Sequence, residues 1–277
     1  MAGKMKSSGR TIDFVKMAAS GNDFVILKER SLAAGRRSLP VLARMICDRK
    51  FGAGADGMLL LGDEVSGGVR MRIFNADGSE AQMCGNGARC AALFSGRKTL
   101  DLHTKAGLIS CRVGGGCVRI RLTAPKGFRG GVNVPLGGRA LKAYFVNTGV
   151  PHAVVFVQGL DSIDVDALGR MIRYHKVFSP AGANADFAEI TGPGTLKVRT
   201  YERGVEGETL ACGTGSTAAA LAASCHLAMP EGNAVFRVLT RSGEILRVYF
   251  HKKKDCSFSD VWLEGGAKIV YKGVYYV

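Results

Sequence analysis

An internal repeat at a fixed spacing is the feature that most constrains what this chain can fold into. Cys84 and Cys212 lie 128 positions apart, and each is followed by Gly-x-Gly and a run of small residues. The triplet Ala53-Gly54-Ala55 returns at the same offset as Ala181-Gly182-Ala183. Because a missed repeat leads to a wrong architecture, this pattern takes precedence over any single motif.

Two further pairs of segments extend the repeat. Residues 14–25 and 142–153 share a strand, glycine turn and strand pattern at the same offset. Residues 71–75 parallel residues 198–202 with a slip of one residue, and both alternate like short strands. Short glycine and alanine strings are common, but three segments at one offset are hard to attribute to chance. The chain is therefore predicted to contain two copies of one unit.

The repeat also predicts the domain organisation. Proline and glycine are dense between residues 125 and 140, which predicts a turn-rich connection there. We expect an N-terminal domain over residues 1–128, to which a C-terminal strand at 266–277 returns, and a second domain over 129–265. Each copy is predicted to be α+β, with short strands and one main helix directly after the key cysteine, at 85–96 and 213–227. The second helix has no charged face, which is typical of a helix buried inside a wrap of strands.

Composition indicates a globular protein without a membrane span. The chain has 277 residues, of which 47% are hydrophobic, enough for a sizeable core. Its longest apolar runs are far shorter than the roughly 20 residues that cross a bilayer. The basic segment at 1–10 leads into no apolar stretch and is expected to be a frayed extension rather than a secretory signal. These features predict a cytoplasmic protein.

Eight cysteines occur in the chain. A chain of this length without an export signal does not need disulfides, so reduced thiols are expected. No C-x-x-C pair is present, and the C-x5-C spacings match no common zinc site, so no metal site is predicted. Six of the cysteines are expected to be small buried hydrophobes, namely Cys47, Cys90, Cys111, Cys117, Cys225 and Cys256.

A formal net charge of +15 predicts attraction to anions without choosing among them. The densest basic run, at 251–254, is short and is followed by Asp255. It also lacks the interleaved aromatic residues of a single-strand binder. A solvated charged face is the simpler interpretation, and nucleic acid is not expected as a partner.

Cys84 and Cys212 each precede a glycine-spaced helix start. The first N–H groups of a helix have no partner within it, and the helix dipole adds positive potential that favours a thiolate. The neighbouring glycines allow backbone amides to approach an anion closely. A pseudo-twofold pairing of the halves would bring both thiols to one cleft. Inversion of a stereocentre needs such a pair, one group removing a proton and the other returning one on the opposite side, beside amides that hold a carboxylate.

These residues resemble the diaminopimelate epimerase family over nearly the whole chain. The resemblance is carried by five segments, which are Ser20-Gly21-Asn22-Asp23-Phe24, residues 74–79 leading into Met83-Cys84-Gly85-Asn86-Gly87, residues 182–187, Tyr201-Glu202-Arg203-Gly204 and Ala211-Cys212-Gly213-Thr214-Gly215. It implies two similar domains, each a β-barrel-like sheet wrapped around a central helix, with the site in the cleft between them. It also implies a cofactor-independent homodimer that interconverts L,L- and meso-diaminopimelate in lysine and cell-wall precursor biosynthesis.

The resemblance further implies roles for individual residues. Cys84 and Cys212 would be the two bases, with His152 and Glu202 influencing their pKa values and Glu202 taking the reacting ammonium. The reacting carboxylate would be bound by backbone amides of four neighbours, which are Gly85, Asn86, Gly213 and Thr214. The rest of the pocket would be lined by Asn22, Asn75, Asn184 and Arg203. An arginine fork suits a carboxylate, and amides can pair with both ammonium and carboxylate.

Two departures from the family pattern concern the pocket. Many members carry asparagine in a Gly-Asn-Pro-His segment, whereas this chain has Val150, and Asn147 is a candidate to replace that amide. The stretch that ends at Gly57 also lacks a glutamine found in some members. Recognition of the distal amino acid group is therefore expected to differ in detail.

Three other functions compete with this interpretation. A proline racemase type of enzyme on the same fold commonly has histidine where this chain has Asn86. A pyridoxal-phosphate racemase would need a Schiff-base lysine, and no cofactor-binding signature is present. A basic binding module would use its thiols only structurally or for redox sensing, and loss of α-proton exchange on replacement of either cysteine would exclude it.

Overall fold

The computed structural model describes residues 11–32, 38–65, 67–136 and 138–277. The basic segment at 1–10 lies outside this range. The chain divides into two compact units, the first running to Gly116 and including Ala267–Val277, and the second comprising Cys117–Gly266. None of the helices among the described residues is long and apolar enough to span a membrane.

The first unit is a mixed sheet with two helices. Its strands are β1 (Thr11–Ala19), β2 (Asn22–Lys28), β3 (Gly57–Val65), β4 (Gly68–Asn75), β5 (Glu80–Ala81), β6 (Thr99–Thr104), β7 (Gly107–Gly114) and the last strand of the chain, β18 (Lys268–Tyr276). Its helices are α1 (Leu39–Cys47) and α2 (Gly85–Ser95), and a 3-10 turn spans Glu29–Ser31. The strand order is β18, β1, β2, β3, β4, β6, β7, with β2 parallel to β3 and β4 parallel to β6.

The two helices of this unit have different environments. Helix α1 has proline in its first turn, where the missing N–H is not needed, and it buries Leu42, Ala43 and Ile46 beside β3 and β4. Helix α2 contacts β1, β2, β3, β4, β6 and β7, and it ends at Gly96 in the left-handed conformation. Strands therefore surround α2 on several sides, which makes it the central helix of the unit.

The second unit repeats this arrangement. Its strands are β8 (Cys117–Arg121), β9 (Lys126–Leu136), β10 (Arg139–Asn147), β11 (Pro151–Phe156), β12 (Asn184–Gly192), β13 (Thr195–Glu202), β14 (Gly207–Thr209), β15 (Gly232–Leu239), β16 (Ile245–Lys252) and β17 (Phe258–Gly266). Its helices are α3 (Val165–Arg173) and α4 (Gly213–His226), with 3-10 turns at Leu160–Ser162 and Lys176–Phe178. The strand order is β9, β10, β11, β12, β13, β15, β16, β17, β8.

The strand pairings confirm the predicted α+β repeat. Parallel pairs occur at the same two steps in each unit, β2 with β3 and β4 with β6 in the first, and β11 with β12 and β13 with β15 in the second. Helix α4 is buried from Gly215 to Ser224 and contacts β10–β13 and β15–β17. A helix of small residues suits this position, because alanine and glycine let the surrounding strands approach its backbone closely.

The structure differs from the expected connection between the halves. Residues 126–136 form β9, which pairs antiparallel with β10. Two of the glycines that predicted turns, Gly127 and Gly131, adopt positive φ values within this strand, and the pairing with β10 is irregular. Strand β8 pairs with β17, so residues 117–128 lie in the second unit and not in the first. The strand at the C-terminus pairs with β1.

The cysteines correct a second expectation. Cys225, near the end of α4, and Cys256, in the turn between β16 and β17, form a disulfide with their Cα atoms 6.3 Å apart. The prediction that these two are reduced was therefore wrong, because tertiary packing brings together cysteines from separate elements. Cys47, Cys90 and Cys111 are buried, as predicted for small apolar residues.

Candidate active site

The predicted site residues fall into two groups, one in each unit. The first unit contains Asn22, Asn75, Cys84, Gly85 and Asn86. The second contains His152, Asn184, Glu202, Arg203, Cys212, Gly213 and Thr214.

Cys84 is the N-cap residue of α2 and is half-buried. Its backbone is extended, with φ of −142°, and the Gly87 N–H donates to its Sγ at 3.5 Å. A Cβ on Gly87 would lie only 3.2 Å from Leu59 Cδ2, so glycine keeps the first helical turn close to β3. The sulfur therefore occupies the electropositive end of α2, where cap residues normally place an oxygen.

A chain of hydrogen bonds orients the amides beside Cys84. The buried Arg89 donates through Nη2 to Asn86 Oδ1 at 2.6 Å and to Ser20 Oγ at 2.6 Å. Asn86 Nδ2 donates to Asn22 Oδ1 at 2.7 Å, and Asn22 Nδ2 donates to Asp56 Oδ2 at 3.0 Å. Guanidinium has only donors and carboxylate only acceptors, so both amide orientations follow from the two ends of this chain.

The carboxylate end of that chain belongs to an ion network. Arg49 Nη2 lies 2.7 Å from Asp56 Oδ1 and 3.0 Å from Asp23 Oδ1, and Lys16 Nζ lies 2.8 Å from Asp23 Oδ2. Burial opposes ionisation of Asp23, but hydrogen bonds from Arg49 and Lys16 outweigh it and lower the pKa of Asp23 to about 2. Asn22 thus donates to a carboxylate, that of Asp56, which is itself held in place by Arg49.

Asn75 lies in a different local setting, at the end of β4. Its Nδ2 donates to Ser79 Oγ at 2.9 Å, and its backbone N–H donates to the Ser79 carbonyl at 2.8 Å. These contacts close the turn that leads into β5. Asn75 therefore has a turn role, and its predicted contact with a ligand stays a prediction.

Cys212 repeats the arrangement of Cys84 in the second unit. It is the N-cap residue of α4, and its Sγ accepts from the Gly215 N–H at 3.4 Å and lies 3.4 Å from Thr214 Oγ1. The side chain is buried. Burial raises the pKa of the Cys212 thiol well above its ordinary value, and the charges of Glu202 and Asp186 add to this effect. The two hydrogen bonds to sulfur oppose it.

The raised pKa of Cys212 is opposite to the expectation based on the helix dipole. A helix N-terminus favours thiolate, but loss of water around sulfur and two nearby carboxylates outweigh it at Cys212. Cys212 is therefore a protonated thiol at neutral pH. The family resemblance implied an influence of Glu202, but the sequence could not show the direction, because the burial of the sulfur and the position of Asp186 depend on tertiary packing.

A buried histidine and carboxylate pair lies in the same unit. His152 Nδ1 is 2.8 Å from Asp186 Oδ2, and Thr200 Oγ1 donates to Asp186 Oδ1 at 2.8 Å. His152 and Asp186 side chains have no exposed surface. Burial also raises the pKa of Glu202, and the charge of Asp186 adds to this effect. These groups form an electrostatically linked cluster around Cys212.

Asn184 and Arg203 are held mainly by backbone groups. Asn184 Nδ2 donates to the Pro151 carbonyl at 2.9 Å, and its Oδ1 accepts from the Arg203 N–H at 2.7 Å. Arg203 Nη1 donates to the Ala181 carbonyl at 3.1 Å. Asn184 thus links β11 to the residue that follows β13, and this contact fixes the backbone position of Arg203.

The remaining second-unit residues surround the start of α4. A Cβ on Gly213 would lie 2.7 Å from Leu263 Cδ2, so a larger residue here would displace the end of that leucine side chain. Thr148 Oγ1 donates to the Thr214 carbonyl at 3.1 Å. Asn147, the candidate replacement for the missing amide, uses its Oδ1 to accept from the Gly149 N–H at 3.0 Å. Its amide oxygen is therefore engaged in the turn before Val150.

The residues of these clusters that were not predicted from the sequence include Arg89, Asp186 and Thr200. Asn184 and Asp186 are two positions apart in a strand and so share a face, which was a usable signal. Nothing in the sequence showed that this face lies beneath α4.

Comparison with known proteins identifies the family. The sequence model described as diaminopimelate epimerase matches twice, over residues 14–127 and 144–261. The chain belongs to the diaminopimelate epimerase family. It is 38% identical to the diaminopimelate epimerase of Hydrogenobaculum sp., covering 94% of this chain and 96% of that one. It is 41% identical to the diaminopimelate epimerase of Chlorobaculum tepidum, covering 93% and 98%. Family membership makes this chain an isomerase.

Solved structures support the fold of this diaminopimelate epimerase family member. A phenazine biosynthesis protein of the PhzF family from Bacillus anthracis matches with a TM-score of 0.73 and 18% identity, covering 96% of this chain and 99% of that one. A hydroxyproline epimerase from Agrobacterium vitis matches with a TM-score of 0.67 and 14% identity, covering 97% and 93%. At these identities the similarity concerns the fold alone.

Proposed function

We propose that this protein interconverts L,L- and meso-diaminopimelate without a cofactor, using Cys84 and Cys212 as its two acid/base groups. The observation that carries the proposal is the equivalence of the two thiols. Each is the N-cap of the central helix of its repeat, and each sulfur accepts from the N–H three residues on. A duplicated thiol at equivalent helix starts matches the need for two proton-transfer groups in inversion.

In this mechanism one sulfur, as thiolate, removes the α-proton and becomes a thiol. The electron pair left on carbon spreads into the carboxylate, and the second sulfur, as thiol, returns a proton on the opposite side and becomes thiolate. The elevated pKa of Cys212 favours its protonated form. When Cys212 acts as the acid, Cys84 acts as the base, and the roles reverse in the other direction.

Binding groups follow from the helix starts and the polar clusters. The first backbone N–H groups of α2 and α4, from Gly85, Asn86, Gly213 and Thr214, have no partner within the helix and suit the reacting carboxylate. Glu202 would take the reacting ammonium. The distal part of the substrate would contact Asn22, Asn75, Asn184 and Arg203. The proposed role belongs to lysine and cell-wall precursor synthesis in the cytoplasm.

We also propose that two copies of the chain associate through β18. This strand pairs with β1 along one edge, and it exposes a row of apolar side chains that includes Ile269, Val270, Val274 and Tyr276, the last with 70% of its surface exposed. A long apolar edge strand is unusual on an isolated subunit. Replacement of Val270 by glutamate should turn the dimer into a monomer in sedimentation analysis. A wild-type monomer at micromolar concentration would contradict the assignment.

Deuterium labelling tests the reaction. L,L-diaminopimelate incubated with the protein in deuterated water should gain deuterium at one α-carbon and form the meso isomer. Cys84→Ala and Cys212→Ala should each lose this inversion while remaining folded. Cys117→Ser is the matched control, because Cys117 is a half-buried strand residue outside both clusters, and its activity should be unchanged. Full inversion by Cys212→Ala would exclude the two-thiol mechanism.

A further inference from the structure

We infer that Asp186 is a positioning residue that fixes the proton of His152 on Nδ1, so that the buried Nε2 is presented as a hydrogen-bond acceptor for an N–H donor of the bound amino acid. This inference deepens the proposed function and rests on it for the identity of the ligand. Asp186 was outside the residues predicted from the sequence.

The geometry comes from three adjacent strands. His152 on β11 pairs with Asn184 on β12, and Asp186, two residues on, pairs with Thr200 on β13. Side chains two positions apart in a strand point to the same face, so His152, Asp186 and Thr200 share one face of the sheet. A Cβ on Gly215 would overlap Asp186 Oδ1, so that face lies directly beneath the first turn of α4.

The hydrogen bonds assign the proton. Asp186 Oδ1 accepts from Thr200 Oγ1, and Oδ2 lies 2.8 Å from His152 Nδ1. An ionised carboxylate only accepts, so Nδ1 carries the proton. Among the described atoms Nε2 is fully buried and has no hydrogen-bond partner. A nitrogen without a proton tolerates burial without a hydrogen-bond partner better than an N–H group does. A buried polar atom without a partner needs an explanation, such as a ligand that binds to it.

The first unit shows that the fold does not need polar side chains at the positions of His152, Asp186 and Thr200. There Phe24 pairs with Gly57 as His152 pairs with Asn184, and Leu59 pairs with Ile73 as Asp186 pairs with Thr200. Leu59 also lies beneath Gly87 as Asp186 lies beneath Gly215.

The corresponding side chains of the first unit, Phe24, Leu59 and Ile73, are apolar and buried. A buried histidine and carboxylate whose counterparts in the sister repeat are apolar are not explained by packing. Their position beside Cys212 and Glu202 indicates a role in chemistry. Glu202 and His152 Nε2 together provide two acceptors, which suits the several N–H donors of an ammonium group.

The experiment uses nitrogen NMR of the full chain labelled with ¹⁵N-histidine. The chain has five histidines, and the His152→Phe variant identifies the signals of His152. Near neutral pH the wild type should show one protonated nitrogen, Nδ1, and one bare nitrogen, Nε2. A proton on Nε2, or on both nitrogens, overturns the inference. The spectrum needs no substrate, so it is independent of whether diaminopimelate is the true ligand.

Two variants separate positioning from packing. Asp186→Asn keeps the shape of the side chain, but the amide can rotate by half a turn and so pair with either tautomer of His152. The His152 signals should therefore show both tautomers. Thr200→Val removes the other hydrogen bond to Asp186 while keeping its charge, so the single tautomer should persist. A single Nδ1–H tautomer in Asp186→Asn would overturn the inference.

Turnover gives the second readout. Asp186→Asn should lower kcat on the order of 10- to 100-fold, by analogy with the loss of a partner that orients a metal-ligating histidine, and Thr200→Val should lower it much less. Equal losses in the two variants would show a packing role and overturn the inference. If the wild type does not turn over diaminopimelate but retains the single tautomer, the proposed substrate fails and the positioning of His152 stands.

Discussion

The guanidinium of Arg89 is fully buried and donates to the amide oxygen of Asn86, one helical turn earlier in α2, at 2.6 Å. Because a guanidinium has no acceptor, this bond turns the amide nitrogen of Asn86 towards Asn22. A buried side chain five residues after Cys84 therefore fixes the orientation of both amide groups, those of Asn86 and Asn22.

Replacement of Arg89 by methionine should weaken both stability and substrate binding. The Asn86 oxygen and the Ser20 hydroxyl lose a charged donor, which should lower the free energy of unfolding by about 2–3 kcal/mol. KM should rise because the Asn86 amide is then able to turn over. Arg89→Lys, which keeps the charge and one donor, should recover part of both losses. Urea unfolding and steady-state kinetics measure the two effects, and an unchanged KM in Arg89→Met would contradict the orienting role.

Alanine at the third residue after each cysteine should affect the two repeats differently. At Gly215 the new Cβ would overlap the Asp186 carboxylate, which is fixed by His152 and Thr200. At Gly87 it would lie 3.2 Å from Leu59 Cδ2, the far end of a side chain that can move. Gly215→Ala should therefore destabilise by at least about 2 kcal/mol, the range of a strained core, and Gly87→Ala by less. Thermal unfolding of both variants measures this difference. A larger loss of stability in Gly87→Ala than in Gly215→Ala would contradict the prediction.

The disulfide between Cys225 and Cys256 should contribute substantially to stability. It joins residues 31 positions apart, and closing a loop of that length in the unfolded chain corresponds to about 3–4 kcal/mol by loop entropy. The double variant Cys225→Ser, Cys256→Ser should unfold at lower denaturant by that amount. Unfolding of the wild type with and without reductant gives an independent measure, with Cys117→Ser as the control. Identical midpoints with and without reductant would show that the bond is absent in solution.

The ion network around Asp23 should make stability depend on acid. The pKa of Asp23 is lowered from 3.8 to about 2 in the folded protein. The stabilisation is therefore complete above pH 4 and is lost as pH falls towards 2, because protonation breaks the contacts with Lys16 and Arg49. Asp23→Asn should be less stable at pH 7 by about 1–2 kcal/mol, and the difference should shrink below pH 3. A constant difference between pH 7 and pH 2.5 in urea titrations would contradict this assignment.

Local sequence signals were sufficient for much of the fold. The fixed offset predicted two copies of one unit, and the glycine-spaced cysteines predicted the starts of α2 and α4 at Gly85 and Gly213, because helix starts depend on a few adjacent residues. The absence of charge along residues 213–226 predicted a buried helix. Helices α1 and α3 were not predicted. The glycine-rich segment at 126–136 was predicted to be a turn region but forms β9, because pairing with β10 outweighs local turn preference.

What the sequence determined by itself was the duplication and the identity of the two thiols at the helix starts, since both are local patterns along the chain. Only the tertiary structure decided what surrounds each thiol. Asp186, Thr200 and His152 come from three strands, Arg89 reaches back to Ser20, and Cys225 meets Cys256. Burial and hydrogen bonding depend on which faces meet, and two repeats with one fold can place leucine under one helix and aspartate under the other.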